Sequence, residues 1–218
     1  MALTGLGLFV FVIGHLVGNL QIFLGRETIN AYGHFLQSNP EIIWPARLLL
    51  LAGVSLHIWA AVTLTRENRA ARRIQYSEAF TPAAASYASR TMMMSGLIVA
   101  AFIVYHLLHF TVQNQAINLT GKSFITLTDA KGRHDLFAMM VLGFRQPLVA
   151  FFYVFAMGLL CLHLSHGVSS LFQSLGLKTK AWAPCIDRFA VGVAWVIFIG
   201  YSSIPLAILL GYGKEVVK

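Results

Sequence analysis

Residues 147–171 read PLVAFFYVFAMGLLCLHLSHGVSSL, twenty-five positions without one Asp, Glu, Lys or Arg but with two histidines, His163 and His166. A hydrocarbon core of about 30 Å needs roughly 20 apolar residues in a helix, so this stretch predicts a membrane span opened by Pro147, where a missing N–H costs little. Working outward, four more stretches meet the same length: about 2–24, 44–65, 92–112 and 190–210. Pro45 is placed at the start of the second, and Pro205, inside the fifth, predicts a kink. The fold class is therefore all-α: a polytopic membrane bundle of five transmembrane helices in one domain over residues 1–218.

Composition agrees. Of 218 residues 57% are hydrophobic and only 11% charged, against about 25% charged in soluble domains. The net charge of +8 does not imply nucleic acid, because Lys and Arg beside spans orient helices and meet anionic lipid. Five arginines lie between Arg66 and Arg90, four of them in RENRAARR (66–73), and Lys178, Lys180 and Arg188 follow in the next loop on that side. The opposite side holds eight Lys and Arg as well, but offset by five acids. The positive-inside rule then predicts a cytoplasmic N-terminus. The first apolar stretch has no small-residue cleavage site and reads as a span rather than a signal peptide. Between spans, INAYGHFLQ (29–37) predicts a short surface helix, and residues 113–145 a polar connection of mixed charge. Cys161 and Cys185 sit in no C-x-x-C-H or zinc spacing.

Four predicted spans carry histidine at depth: His15, His57, His106 with His109, and His163 with His166. An ionisable group there is costly and faces the protein interior or a cofactor. Imidazole is a common haem ligand, two completing a six-coordinate iron. Helices alternate in direction, so depth follows from position. His57 and His163 each lie about eight residues from the basic side; His15 and His106 lie about thirteen and fifteen from it. The four sort into an inner pair and an outer pair, on the order of 10 Å apart at the helical rise. That suits two stacked haems b held without covalent attachment. A proton or ion relay is the other reading of such histidines, although no Asp or Glu lies in any predicted span. His109 and His166 share a face with their neighbours, and either could replace its neighbour as ligand. Gly14 and Gly18 beside His15, Gly53 before His57 and Gly167 after His163 could admit a flat macrocycle or simply helix packing. His34 and His134 fall in the connections.

At these residues the chain resembles the five-helix, di-haem cytochrome b membrane anchor of bacterial succinate:quinone oxidoreductases. The resemblance covers nearly the whole chain and is carried by TGLGLFVFVIGHLVGNLQIFLG (4–25), INAYGHFLQ (29–37), LHIWAAV (56–62), YHLLHFT (105–111) and GFRQPLVAFFYVFAMGLLCLHLSHGVSSLFQSLG (143–176). It implies His57 and His163 as axial ligands of the inner haem and His15 and His106 as those of the outer one. It also implies a flavoprotein and an iron–sulfur subunit on the cytoplasmic face of a bacterial inner membrane. Electrons would then pass between succinate or fumarate and a quinone, menaquinone in the two-haem case. Two positions depart from the family's pattern. Cys161 stands where some fumarate reductases carry a glutamate two residues before the ligand, and Gln37 falls by spacing where they carry a glutamate for menaquinol. His34, one turn before Gln37, is the candidate proton acceptor of a quinone site. Other expectations remain open: a cytochrome b of a hydrogenase or formate dehydrogenase, which places its ligands differently, or a transporter without haem.

Overall fold

The computed structural model describes residues 1–71 and 87–217. Among them the chain is helical, with a single isolated bridge between Thr128 and His134 and no strand. The elements are α1 Ala2–Leu20, α2 Arg26–Ser38, α3 Pro40–Ala70, α4 Tyr87–Arg90, α5 Met92–His106, α6 Leu136–Phe144, α7 Pro147–Ser174 and α8 Ala183–Leu209. A 3-10 turn, Gln21–Leu24, extends α1, and a π-helical turn, Leu107–Thr111, extends α5.

Five helices are long and apolar enough to cross a membrane: Ala2–Leu24, Pro40–Ala70, Met92–Thr111, Pro147–Ser174 and Ala183–Leu209. All five predicted spans are present. The second begins earlier than expected, because Pro40 takes the first helical position and Pro45 lies within the helix. The fifth also begins earlier, so that Asp187 falls inside it, and it continues through Pro205. Arg72 and Arg73 of the basic run lie outside the described residues.

Packing is uneven, and the unevenness positions the site. α7 and α8 form the most extensive helix pair, with α5 against α7 and α1 against α8 and α7. Ala190 and Ala194 are fully buried there among Leu16, Cys161, Leu164, Val168 and Ile197. Small residues let membrane helices approach closely, where dispersion replaces the missing hydrophobic drive. Two tyrosines pin α1 to the C-terminal region: Tyr201 donates to Val12 O at 2.7 Å and Tyr212 to Ile22 O at 2.7 Å. α3 is the exception. It packs along α1 and touches α2, without comparable packing on α5, α7 or α8, and not one of its 31 residues is buried.

The end of the bundle remote from Met1 is closed by α2 and α6. The sequence INAYGHFLQ does form a helix, longer than expected at both ends. The 113–145 connection was expected to be polar throughout, yet it ends in α6, LFAMMVLGF, whose residues 137–144 are all buried. A nine-residue apolar run is too short to span, and its polar flanks hid it. Asp135 starts α6 by accepting from the backbone N–H of Ala138, while the Asn30 side chain donates to it at 2.9 Å and Arg26 pairs with it. Asn30 Oδ1 in turn accepts from Phe137 N at 3.0 Å, tying α2 to α6. Outside this buried knot Arg133 bridges Asp129 and Glu27, and Lys131 also reaches Glu27.

Burial works against the Asp135 charge, but the hydrogen bonds from Arg26, Asn30 and Ala138 outweigh it and hold its carboxyl below the usual range. Hydrogen bonds from Arg133 and then Lys131 lower Glu27 to about 2, and Arg133 lowers Asp129. Depressed carboxylates contribute stability above their ordinary range near pH 4, which is lost as pH falls through the folded values. The contribution of these pairings to thermal stability in detergent is therefore expected to be full above about pH 5 and to be lost progressively toward pH 2. A profile that stays flat down to pH 2 would contradict these pairings. Asp135→Ala strips acceptors from Arg26, Asn30 and Ala138. The expected loss is about 2–3 kcal/mol, below the cost of breaking a fully buried pair because Arg26 is half exposed.

Candidate functional site between the histidine-bearing helices

Four of the long helices bring one or two imidazoles each to the interior side of the bundle. His15 (α1) and His106 (α5) meet directly, with ring centroids 5.8 Å apart and ring planes at 81°. The His15 ring stacks on Phe11 at 5.3 Å, and Tyr201 stands 6.1 Å away. His57 (α3) and His163 (α7) lie within electrostatic reach of each other. Thr4 Oγ1 on α1 sits 3.1 Å from His57 Nδ1, and Ser95 Oγ on α5 sits 3.4 Å from His163 Nδ1. These contacts set the levels. His57 stands beside the third residue of α1, and His163 beside the fourth residue of α5. Eleven residues separate Thr4 from His15 and Ser95 from His106, a rise of about 16 Å. Two layers are therefore present, and their separation exceeds the 10 Å expected from span ends. Helix ends are a poor ruler, since α3 runs to Ala70 and α7 to Ser174.

The neighbours of these histidines are differently placed. His109 is fully buried, with Nδ1 3.0 Å from Tyr153 Oη and Nε2 without a hydrogen-bond partner. Its ring stacks on Phe110 at 4.0 Å, and a Cβ on Gly143 would lie 3.1 Å from its Nε2. That packing leaves no room for a macrocycle at His109. The π-helical turn, closed by Val112 N on Leu107 O at 2.7 Å, brings His106 and His109 onto the same tyrosine: Tyr153 Oη is also 3.4 Å from His106 Nδ1. His166 Nε2 is engaged by Ser170 at 3.0 Å, one turn along its own helix. Close by, Ser169 and Lys178 both donate to Asp187 Oδ1, at 2.6 and 2.7 Å.

His34 and Gln37 lie on α2 with exposed side chains, and the nearest polar group to the His34 ring is Ser38 Oγ at 3.4 Å. His134 is a fastener of its loop, bonded to Leu127 O at 3.2 Å and to the Gln113 amide at 3.0 Å. Of the glycines, Gly18 is filled by Tyr32, and Gly53 meets only Leu8 at 3.9 Å. Gly14 and Gly167 face open space. Besides Gly143 against His109, the glycines beside an imidazole are Gly5, against His57, and Gly96, against His163.

Sequence reading passed over Thr4, Gly5, Ser95, Gly96 and Tyr153. A signal for four of them existed. TGLGLFVFVIGH (4–15) and SGLIVAAFIVYH (95–106) share a hydroxyl residue, Gly-Leu and a histidine eleven positions on. The partner helices repeat in the same order, SLHIWAAV (55–62) against CLHLSHGV (161–168). The histidine-bearing framework reads as two similar two-helix units, and each layer takes one histidine from each unit.

No protein-family profile, curated protein or solved structure matches the chain.

The donor set can be tested against a haem on geometry. Two imidazoles bound to one metal at about 2.0 Å place their ring centroids roughly 6 Å apart, close to the 5.8 Å between His15 and His106. Among the described residues no three His, Cys, Asp or Glu side chains gather as a metal group. Paired imidazoles are what a six-coordinate haem iron takes, so the residues fit. Tyr153→Phe should lower thermal stability by about 1–3 kcal/mol, because it strands the buried His109 Nδ1. An unchanged melting temperature would show that this hydrogen bond carries no weight.

Proposed function

We propose that the chain is a membrane-embedded di-haem cytochrome b that conducts electrons across the bilayer. The observation that carries this reading is four histidines from four helices at two levels about 16 Å apart, with His15 facing His106 at one of them. His57 and His163 would hold one haem near the Met1 end, and His15 with His106 the other toward α2 and α6. When bound, each haem supplies one reversible electron site. The protein contributes rigid placement of the imidazoles, a dry apolar surround, and an edge of the bundle that the macrocycles complete. That last role accounts for α3, which carries His57 yet buries nothing of its own.

The motif resemblance supports a more specific assignment: the anchor and quinone-reacting subunit of a succinate:quinone oxidoreductase, succinate dehydrogenase or fumarate reductase. In this assignment the Met1 end is cytoplasmic. The basic residues Arg66, Arg69, Lys178 and Lys180 surround that end and would meet the iron–sulfur and flavoprotein subunits. The dicarboxylate chemistry belongs to those partners, and the chain itself exchanges electrons with menaquinone. His34 and Gln37, exposed on α2 at the opposite face, are the candidate quinone contacts: Gln37 can hydrogen-bond a quinone oxygen, and His34 can take its proton.

A reduced-minus-oxidised optical spectrum of the purified protein tests the class. A b-type band with two haems per chain is expected, and no b-type absorbance would leave a transporter as the better reading. His163→Ala should remove the haem near the Met1 end and weaken assembly. His166→Ala should keep both, since Ser170 already engages that ring; loss of a haem there would reverse the choice on α7. Within the intact complex, His34→Ala should slow quinone turnover while both haems remain. Full turnover would remove His34 from the quinone site.

A further inference from the structure

The two imidazoles nearest the Met1 end are held alike, by residues with no part in electron or quinone exchange. Thr4 Oγ1 donates to Met1 O at 2.9 Å and lies 3.1 Å from His57 Nδ1. Ser95 Oγ donates to Met92 O at 3.2 Å and lies 3.4 Å from His163 Nδ1. A hydroxyl has one proton, so once it donates to a carbonyl it can only accept from its second neighbour. In that arrangement both Nδ1 atoms carry the ring proton. A neutral imidazole with Nδ1–H keeps its lone pair on Nε2. Gly5 and Gly96 complete the arrangement. A Cβ at Gly96 would stand 3.2 Å from His163 Cε1, tighter than ordinary contact, and one at Gly5 would meet His57 Cε1 at an ordinary 3.5 Å, so each ring lies against the backbone of the facing helix.

We propose that Thr4 and Ser95 are paired positioning residues, each fixing one imidazole as the Nδ1–H tautomer with Nε2 presented to the iron of the haem near the Met1 end. The inference rests on the di-haem reading. Hydrogen-bonded partners of the non-ligating ring nitrogen orient a metal-bound histidine and raise its basicity, which favours the oxidised iron. The other layer is built differently. His106 Nδ1 faces Tyr153, a phenol shared with His109. Deleting the short hydroxyls should therefore affect one haem and spare the other.

The test uses the full chain in its native complex, with haem content by pyridine haemochrome, potentiometric titration and low-spin EPR. Haem content of the unsubstituted protein comes first: two per chain sustain the di-haem reading, and none ends it whatever Thr4 and Ser95 do. In Thr4→Val and Ser95→Ala the haem near the Met1 end should shift to a more positive midpoint with an altered EPR signal, the other haem keeping both. Thr4→Ser and Ser95→Thr should restore the original values. Two haems with unchanged midpoints and spectra in Thr4→Val and Ser95→Ala would overturn the proposal, as would a change confined to the other haem. Should Thr4→Val lose the haem outright, its return in Thr4→Ser supports the proposal and its continued absence refutes it.

Discussion

An imidazole inside an apolar helix is a polar group without water, and the structure is organised around meeting that constraint. A buried polar group without a partner costs on the order of 1–3 kcal/mol, and the bilayer core offers no solvent to relieve it. Hydroxyls on neighbouring helices therefore face the rings: Thr4 for His57, Ser95 for His163, Tyr153 for His106 and His109. Each of these contacts crosses between helices, so satisfying the histidines also fixes which helices neighbour which. Thr4 draws α3 to α1, and Ser95 and Tyr153 draw α5 to α7. Among the described residues His109 Nε2 is the fully buried imidazole nitrogen that has no hydrogen-bond partner. It is walled in by Phe110 and Gly143, where tight packing of the α5–α6 contact substitutes for a partner.

The repeated unit explains the asymmetry of the bundle. Two copies of a helix pair supply the histidines, but only the second is packed like a protein core. α7 has a large neighbour in α8, and their interface, built on Ala190, Ala194 and Ile197, makes the rigid half. α1 leans on that half through Leu16 against Gly200 and through the Tyr201 bond to its backbone. α3 has α1 and little else. A helix of 31 residues with none buried is held by lipid, by one flank of α1 and, on the proposed function, by a macrocycle that occupies the space between it and α7. The ligand would then be structural as well as functional, as bound groups that favour the folded state generally are.

Much of this was legible in the sequence. Span number and rough limits follow from hydrocarbon thickness, and the sorting of His57 with His163 and His15 with His106 follows from alternating direction. The layer spacing was misjudged, because apolar composition marks where lipid begins and not where a helix ends. α6 was missed for a related reason: nine apolar residues between Asp135 and Arg145 are too few to span, and period alone does not separate a buried helix from a short strand. Its N-cap, Asp135, shares its loop with Asp129, which pairs with Arg133 as Glu27 on α2 does, and sequence gives no sign of which acid caps a buried helix. The supporting hydroxyls were invisible one at a time, since a Thr or Ser near a helix start reads as a cap. Only the alignment of residues 4–15 with 95–106 distinguishes them.

The repeat also bears on how the two histidine levels are assembled. A single helix pair of this unit carries one histidine at each level, and no level is complete within one copy. Only the second copy, inverted in neighbour but not in direction, supplies the facing imidazole at both levels at once. His15 with His106 and His57 with His163 are then equivalent residues of the two copies, so any shift of one copy against the other spoils both pairs together. The elements outside the repeat act on that relative placement. α8 fastens α1 to α7 along their length, and α2 with α6 closes the far end through Asn30, Arg26 and Asp135. Both lie outside the layers they stabilise, which is why residues remote from every histidine, Asp135 first among them, bear on whether two rings 5.8 Å apart stay in register.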